Sequence, residues 1–181
     1  MPTTASMTID EFLKLPAADC LRELVRGRVI ESKLPVPAHG VTCVNVAHSL
    51  RTALNGHGDL ILTARCGVVT HREPDSVRGP DLTIYPKGRL RDEMSSGTYA
   101  SFPPVFVAEV LDKDDRWLDV MEKGIEYLHC GVKVVLLVDP FHQSAALLRE
   151  HRPPQLFHLH DEFTLPDLLP DFRVAVREFF E

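Results

Sequence analysis

Seven residues near the middle of the chain decide the fold: Val105-Phe106-Val107-Ala108-Glu109-Val110-Leu111. The run is apolar apart from Glu109 and follows two prolines, a pattern typical of a buried strand. A second apolar strand is predicted over residues 81–85, where Asp81 stands at the first position. A buried carboxylate is costly unless it is paired or binds a cation, so Glu109 needs a partner. The sequence thus predicts strands that carry an acid at or near one end.

Two amphipathic helices are predicted around these strands. The first has helical spacing up to Gly56 and Gly58, through Val41, Val44, Ala47, His48, Leu50 and Leu54. The second starts at Asp114 or Asp115 and is closed by Gly131, with one apolar stripe of Leu118, Met121, Ile125 and Leu128. Periodicity alone puts Lys123 opposite that stripe, on the solvent side.

Shorter patterns complete the predicted architecture. Thr8 and Glu11 form a capping box for a short first helix, and Arg26-Gly27 is the turn of a hairpin. A polar loop is predicted over residues 87–101 and a short helix over 175–180. Further strands are predicted over residues 60–70, 134–138, 144–149 and 156–160. The order indicates a mixed α/β (α+β) fold, with a sheet packed against helices.

Length and composition favour one domain over residues 1–181. The 181 residues are 44% hydrophobic, with a formal net charge of −6. Proteins that coat nucleic acids without sequence preference are usually strongly basic, so this net charge is not typical of them. The charge is uneven, +2 over residues 1–90 and −8 over residues 91–181. Four scattered cysteines without a CxxC pair, no apolar run of membrane-spanning length and no secretory leader predict a cytoplasmic protein.

Several common chemistries lack their motifs. The chain has no GxSxG elbow, no phosphate loop ending in Gly-Lys-Ser/Thr and no GxGxxG after a strand. Nine histidines are present, without HExxH or Cys/His zinc spacing. His158 and His160 would share a strand face, and an exposed face is favoured over a pair of metal ligands. Two carboxylates on adjacent strands would instead suit Mg²⁺ or Mn²⁺, which prefer oxygen ligands.

The spacing of these acids resembles a known family. The matching motifs are Pro80-Asp81, Glu109 twenty-eight residues later, Lys123 within residues 115–128, Gly131-Val132 and Val138-Asp139-Pro140. Together they resemble the Uma-two family of restriction endonucleases, in the PD-(D/E)xK nuclease superfamily. The resemblance extends from Glu23 through His39 to Phe172, essentially the whole chain.

The resemblance implies a restriction-endonuclease-like core and a set of site residues. It implies that Asp81 and Glu109 bind a catalytic Mg²⁺ or Mn²⁺, that Lys123 is a relocated lysine stabilising phosphoryl charge or orienting the water, and that Glu23 is a supporting upstream acid. Two positions depart from the pattern. Leu111 stands two residues after Glu109, where the superfamily has lysine, and Asp112 stands where relatives commonly have serine.

Each candidate also has a structural alternative. Asp81 could be a strand-start or turn residue, and Glu109 could pair with an arginine such as Arg65 or Arg78. Lys123 could be a solvated lysine, as its helical position favours. Glu23 is most often a solvent-facing residue in such a hairpin, and His39 a residue of the helix start.

The sequence therefore predicts a metal-dependent DNA endonuclease hydrolysing phosphodiester bonds. The alternatives are a degenerate nuclease fold that binds nucleic acid or protein without cutting, and hydrolysis of another phosphate ester. DNA binding is expected to be weak and salt-sensitive. It would rest on a local cationic rim of Arg65, Arg72, Arg78, Lys87, Arg89 and Arg91. One active site per chain also makes a homodimer the favoured form for double-strand cutting.

Overall fold

The computed structural model of the protein describes residues 6–55 and 60–181. The predicted helix end at Gly56 and Gly58, and residues 1–5 of the N-terminus, lie outside the described residues. Among the described helices, none combines the length and apolar character needed to cross a membrane.

A mixed six-stranded sheet forms the centre, in the order β10-β9-β8-β7-β6-β3. Its strands are β3 (Leu60–Ala64), β6 (Leu82–Pro86), β7 (Phe106–Val110), β8 (Val134–Asp139), β9 (Ser144–Arg149) and β10 (Gln155–His158). Only the β7–β8 pair is parallel in this described sheet. A mixed sheet covered by helices confirms the predicted fold class.

The two faces of the central sheet bury different clusters. On one face, Phe106, Ala108 and Val110 of β7 pack in a cluster with Leu50 and Leu54 of helix α2 (Pro37–Leu54). On the other face, Val107 packs with residues of helix α4 (Trp117–His129). Because side chains alternate along a strand, Glu109 lies on the α4 side.

A smaller antiparallel sheet lies beside this core, in the order β2-β1-β5-β4. Its strands are β1 (Leu21–Val25), β2 (Arg28–Ser32), β4 (Val68–His71) and β5 (Ser76–Arg78). Arg26 and Gly27 both have positive φ, at 48° and 72°, as a two-residue hairpin turn of type I′ requires. The predicted hairpin is thus confirmed. So is the capping box of Thr8 and Glu11 on helix α1 (Ile9–Phe12).

Some element predictions are wrong. The predicted strand over residues 60–70 is two strands in different sheets, broken near Arg65, whose φ is 51°. The predicted polar loop over residues 87–101 begins with helix α3 (Lys87–Glu93). The hairpin of β11 (Glu162–Leu165) and β12 (Leu169–Ala175) was not predicted, whereas the terminal helix is present as a 3-10 helix, Val176–Phe179. His158 ends β10 and His160 lies in the turn beyond it, so the two do not share a strand face.

The buried face of α4 differs from the predicted stripe. Val120, Gly124 and Tyr127 are buried, whereas Leu118 is 64% and Ile125 43% exposed. A methyl group added to Gly124 would lie 2.7 Å from Leu148 Cδ1 of β9. The missing side chain therefore lets α4 approach the sheet closely along this face, next to Lys123.

Candidate active site

The two predicted metal-binding carboxylates stand at the same end of neighbouring antiparallel strands. Leu82 of β6 pairs with Ala108 of β7, so Asp81 and Glu109 each lie one residue further along the pair. Both are 7% exposed. Asp81 Oδ2 accepts a hydrogen bond from the Val110 amide at 2.8 Å, which ties the start of one strand to the end of the other.

Glu109 has two donors, both contributed by α4. The Tyr127 hydroxyl donates to Glu109 Oε1 at 2.6 Å, and Lys123 Nζ lies 2.8 Å from the same oxygen. Burial is the main cause of a pKa of about 7 for Glu109; Lys123 opposes the rise, and the nearby Asp81 carboxylate adds to it. Burial therefore disfavours the charged form of this carboxylate even with the Lys123 ammonium beside it.

Lys123 bridges two acids and is not a solvated lysine. Its Nζ lies 2.8 Å from Glu109 Oε1 and 2.8 Å from Glu23 Oε1, and its side chain is 19% exposed. Burial lowers the pKa of Lys123, but the two carboxylates outweigh burial and raise it. The amine thus stays a charged ammonium, and the solvent-facing alternative for Lys123 is wrong.

Glu23 is held by an ion-pair network from three elements. Glu23 Oε1 accepts from the Gly79 amide at 2.8 Å, and Glu23 Oε2 lies 3.0 Å from the Arg78 guanidinium. Arg78 also pairs with Glu126 of α4 at 2.6 Å, and the Thr70 hydroxyl donates to Glu126. Burial opposes ionisation of Glu23, yet Lys123, Gly79 and Arg78 together lower its pKa.

These contacts contradict the structural alternatives predicted for Glu109 and Glu23. Neither arginine proposed as a partner of Glu109 contacts it: Arg78 pairs with Glu23 and Glu126, and Arg65 lies 3.4 Å from Asp81 Oδ1. Glu23 is not a solvent-facing residue, because its side chain is 19% exposed.

Helix α2 contributes a second group of polar residues near Asp81. His39 is buried in the first turn, and its Nε2 lies 3.3 Å from Asp81 Oδ2. Burial lowers the pKa of His39, but the hydrogen bond to Asp81 and the negative charges of Asp81 and Asp112 together outweigh burial and raise it. One turn on, Cys43 Sγ lies 3.5 Å from His39 Nδ1, and burial raises the pKa of this thiol to about 12.

Asp81 and Glu109 have the donor chemistry that a hard divalent cation requires. Within residues 6–55 and 60–181, no hydrogen-bond donor reaches Glu109 Oε2, since Tyr127 and Lys123 both contact Oε1. Two buried carboxylates that repel each other would gain from a bound cation. The residues present therefore fit Mg²⁺ or Mn²⁺.

The site opens into a groove of about 1240 Å³. The hairpin side of the groove carries Arg22, Arg26 and Lys33, while residues 112–122 contribute five acids, namely Asp112, Asp114, Asp115, Asp119 and Glu122. Of the six cations in the predicted rim, only Arg65 and Arg78 belong to the described lining of this groove. The cationic rim therefore comes from the hairpin more than from α3.

Comparison with known proteins identifies the family. The family model of Uma2, the Uma-two family, described as "Putative restriction endonuclease", matches residues 9–177. The chain belongs to the Uma2 family. Among solved structures, this Uma2 chain is similar to a protein from Anabaena variabilis, described as a "putative nuclease belonging to DUF820". The TM-score is 0.81 at 19% identity, over 96% of this chain and 97% of that one. Among curated proteins, none matches the chain.

Family and fold together indicate a restriction-endonuclease-like nuclease. Sequence reasoning placed Asp81, Glu109, Lys123 and Glu23 in one candidate site, and in the Uma2 fold these four side chains lie together. It missed the Tyr127 contact to Glu109 and the Arg78–Glu126 pair. The spacing of Lys123 and Tyr127, four residues apart on one helix flank, was the signal for the first.

Proposed function

We propose that the chain is a divalent-metal-dependent DNA endonuclease that hydrolyses phosphodiester bonds, acting as one nuclease-like domain over residues 1–181. The observation that carries this proposal is the position of Lys123, held 2.8 Å from both Glu109 and Glu23. The superfamily pattern places a lysine at position 111, where this chain has Leu111. Lys123 contacts the Glu109 carboxylate from α4 instead. Leu111 itself is buried in the apolar cluster below α4.

In this proposal Asp81 and Glu109 hold Mg²⁺ or Mn²⁺. When bound there, the ion would polarise a phosphate and make a water molecule more acidic. The Val110 amide orients Asp81, and the Tyr127 hydroxyl orients Glu109. Both acids are thereby fixed before substrate arrives, so that little reorganisation is needed during the reaction.

Lys123 supplies positive charge and does not act as a base. Its raised pKa keeps the amine protonated, and an ammonium has three donors of which Glu109 and Glu23 engage two. The third N–H can donate to a phosphate oxygen or to the attacking water. Glu23, oriented by Gly79 and Arg78, fixes the direction of the amine.

Plasmid cleavage tests the proposal. We expect cleavage with Mg²⁺ or Mn²⁺, none in EDTA, loss in Asp81→Asn and Glu109→Gln, and a fall of roughly 10²–10³-fold in rate for Lys123→Met. Asp139→Asn is the matched control, because Asp139 is also 7% exposed but bonds the Phe141 and His142 amides. Full cleavage by Asp81→Asn would contradict the proposed roles.

A second candidate function is that of a degenerate nuclease fold that binds nucleic acid or protein without cutting nucleic acid. The acids of residues 112–122 beside the groove favour it, because they oppose a phosphate backbone. Calorimetric titration with Mn²⁺ separates the two functions: a cutting site binds Mn²⁺ in a way that depends on Glu109, and a scaffold does not. Assays on nucleotides and single strands test the third candidate, another phosphate ester.

We further propose that DNA binding is weak and salt-sensitive, that double-strand cutting uses a homodimer, and that the protein acts in the cytoplasm. The cations of the hairpin support local phosphate contacts, whose affinity falls steeply with salt. Binding measured at several salt concentrations, with sedimentation of the protein alone and with DNA, tests the first two points.

A further inference from the structure

A histidine, a thiol and a carboxylate converge at the first turns of α2. The ligand atoms of His39, Cys43 and Asp81 all lie within 4.8 Å of one another. His39 and Cys43 share a helix face because they are four residues apart, and Asp81 faces them from the start of β6. Within the described residues, this is the one group of three such side chains with metal-binding separations.

These separations can be compared with those between the ligands of a tetrahedral ion. Zinc bonds of about 2.0–2.3 Å to nitrogen, oxygen and sulfur put neighbouring ligand atoms roughly 3.4–3.6 Å apart. His39 Nε2 lies 3.3 Å from Asp81 Oδ2, and Cys43 Sγ lies 3.5 Å from His39 Nδ1 and 4.0 Å from Nε2. One imidazole nitrogen binds one ion, so with Nε2 facing Asp81 the Cys43 sulfur must move from 4.0 Å to about 3.5 Å from this nitrogen.

We propose that His39, Cys43 and Asp81 form a site for a tetrahedral, sulfur-accepting divalent cation such as Zn²⁺. The donors differ in kind from the Asp81 and Glu109 oxygens that suit Mg²⁺, because a thiolate and an imidazole favour softer ions. Three protein ligands leave a fourth position for water or a phosphate oxygen. The two sites share Asp81, so an ion in one competes with an ion in the other.

Binding requires two local changes that the structure permits. The ion replaces the proton of the Cys43 thiol, which is released to solvent, and forms the sulfur bond in its place. Arg65, which lies 3.4 Å from Asp81 Oδ1, has a side chain that is 44% exposed and can turn into solvent. Where Asp81 also serves cleavage, Zn²⁺ would inhibit it, and this consequence rests on the proposed function.

Cobalt spectroscopy tests the site without relying on activity. Titration of the metal-free full chain with Co²⁺ is expected to give a near-ultraviolet sulfur-to-cobalt band and strong visible bands of a tetrahedral ion, both displaced by Zn²⁺. Cys43→Ser and Cys43→Ala should lose the near-ultraviolet band. Their Zn²⁺ affinity should fall by more than the roughly 100-fold typical of losing an outer contact.

Cys66→Ser is the matched control, since Cys66 is exposed and would bind cobalt adventitiously before Cys43. We expect the band to survive in this variant. A weak six-coordinate spectrum in the native chain, a band that survives Cys43→Ser, or a band lost in Cys66→Ser would overturn the proposal. Should the Cys43 variants not fold, alkylation of Cys43 in the native chain, read by mass spectrometry, must slow when Zn²⁺ is added.

Glu109→Gln separates this site from the proposed nuclease function. Glu109 is not in the group of three, so the cobalt band should persist in this variant while cleavage with Mg²⁺ is lost. A chain that never cleaves DNA but shows the Cys43-dependent band refutes the nuclease and keeps the metal site. A chain that cleaves DNA but shows no such band refutes the metal site and keeps the nuclease.

Discussion

Helices α2 and α4 cover opposite faces of the same sheet, yet they bury different kinds of side chain. Beyond its first turn, α2 packs through apolar residues such as Val46, Leu50 and Leu54, and its contact to the site is His39 at the start. In α4 the site residues stand in the middle of the buried face, where Lys123 and Tyr127 flank Gly124. A helix that lines a site is thus oriented by its polar partners as well as by apolar area.

The consequence is visible in where apolar side chains end up. Hydrophobic periodicity in α4 points to the stripe that includes Leu118 and Ile125, and both are exposed. The face that packs instead supplies an ammonium, a hydroxyl and a glycine to strands that carry buried acids. Breaking those polar contacts should therefore affect stability more in α4 than in α2.

The largest effect is expected from Lys123→Met. Removing one partner of a buried ion pair costs about 3–5 kcal/mol, and here two carboxylates, Glu109 and Glu23, lose their shared cation. Denaturant unfolding at pH 8 measures the loss. His39→Gln in α2 should cost less, because Asp81 keeps the Val110 amide and Arg65.

A double variant isolates the electrostatic part of that loss. Lys123→Met/Glu109→Gln should be less destabilised than the two single variants added together, by about 0.5–3 kcal/mol. The exposed Lys133→Met is the control and should stay within about 0.5 kcal/mol of the native chain. Simple additivity would show that Lys123 contributes through packing alone.

The pH dependence of stability tests Glu109, the buried partner of Lys123. The pKa of Glu109 rises from an ordinary 4.5 to about 7 on folding. The contribution of Glu109 to the free energy of unfolding is therefore full below pH 4.5 and is lost as pH rises through 7. The loss corresponds to roughly 3 kcal/mol. Without metal, the native chain should therefore lose stability relative to Glu109→Gln between pH 5 and pH 8, as measured by unfolding at each pH.

Added Mg²⁺ sharpens the same measurement. An ion held by ionised Glu109 should stabilise the native chain more at pH 8 than at pH 5, and stabilise Glu109→Gln less. Parallel pH profiles of the two proteins without metal would contradict a raised pKa of Glu109.

The central strands, and the positions of Asp81 and Glu109 on them, could be predicted from the sequence for a physical reason. Residues 105–111 and 134–138 are apolar on both faces, so they admit only a covered strand, and a carboxylate inside such a run has few explanations. Lys123 was different. Its position in the helix indicated solvent, and only the family resemblance indicated the site.

The misses have a common physical cause. The buried face of α4 is selected by long-range contacts to Glu109 and Glu23, fourteen and one hundred residues away in sequence, which periodicity does not record. Likewise α3 and the β11–β12 hairpin are short, and packing against other elements decides them more than propensity does. Cys43 gave no signal because its partner Asp81 is distant in sequence.

Substitution of one glycine in each helix compares how tightly α4 and α2 pack. Gly124→Ala in α4 should cost about 1–3 kcal/mol through overpacking, because the new methyl would lie 2.7 Å from Leu148 Cδ1. Gly40→Ala in α2 meets nothing within 4 Å, so it should stabilise the chain by roughly 0.5–1 kcal/mol through helix propensity. Thermal unfolding measures both, and a Gly124→Ala chain as stable as Gly40→Ala would show that α4 can move outward freely.

The smallest effects are expected where apolar side chains of the two helices face solvent to the same degree. Leu118 of α4 is 64% exposed and Val44 of α2 is 67% exposed. Leu118→Gln and Val44→Gln should each change the free energy of unfolding by at most about 0.5 kcal/mol, as is usual for surface positions. Unfolding at two protein concentrations checks this. A larger loss for Leu118→Gln that grows with concentration would mean that a second copy covers the stripe. Periodicity would then have identified an interface of α4 rather than its core face.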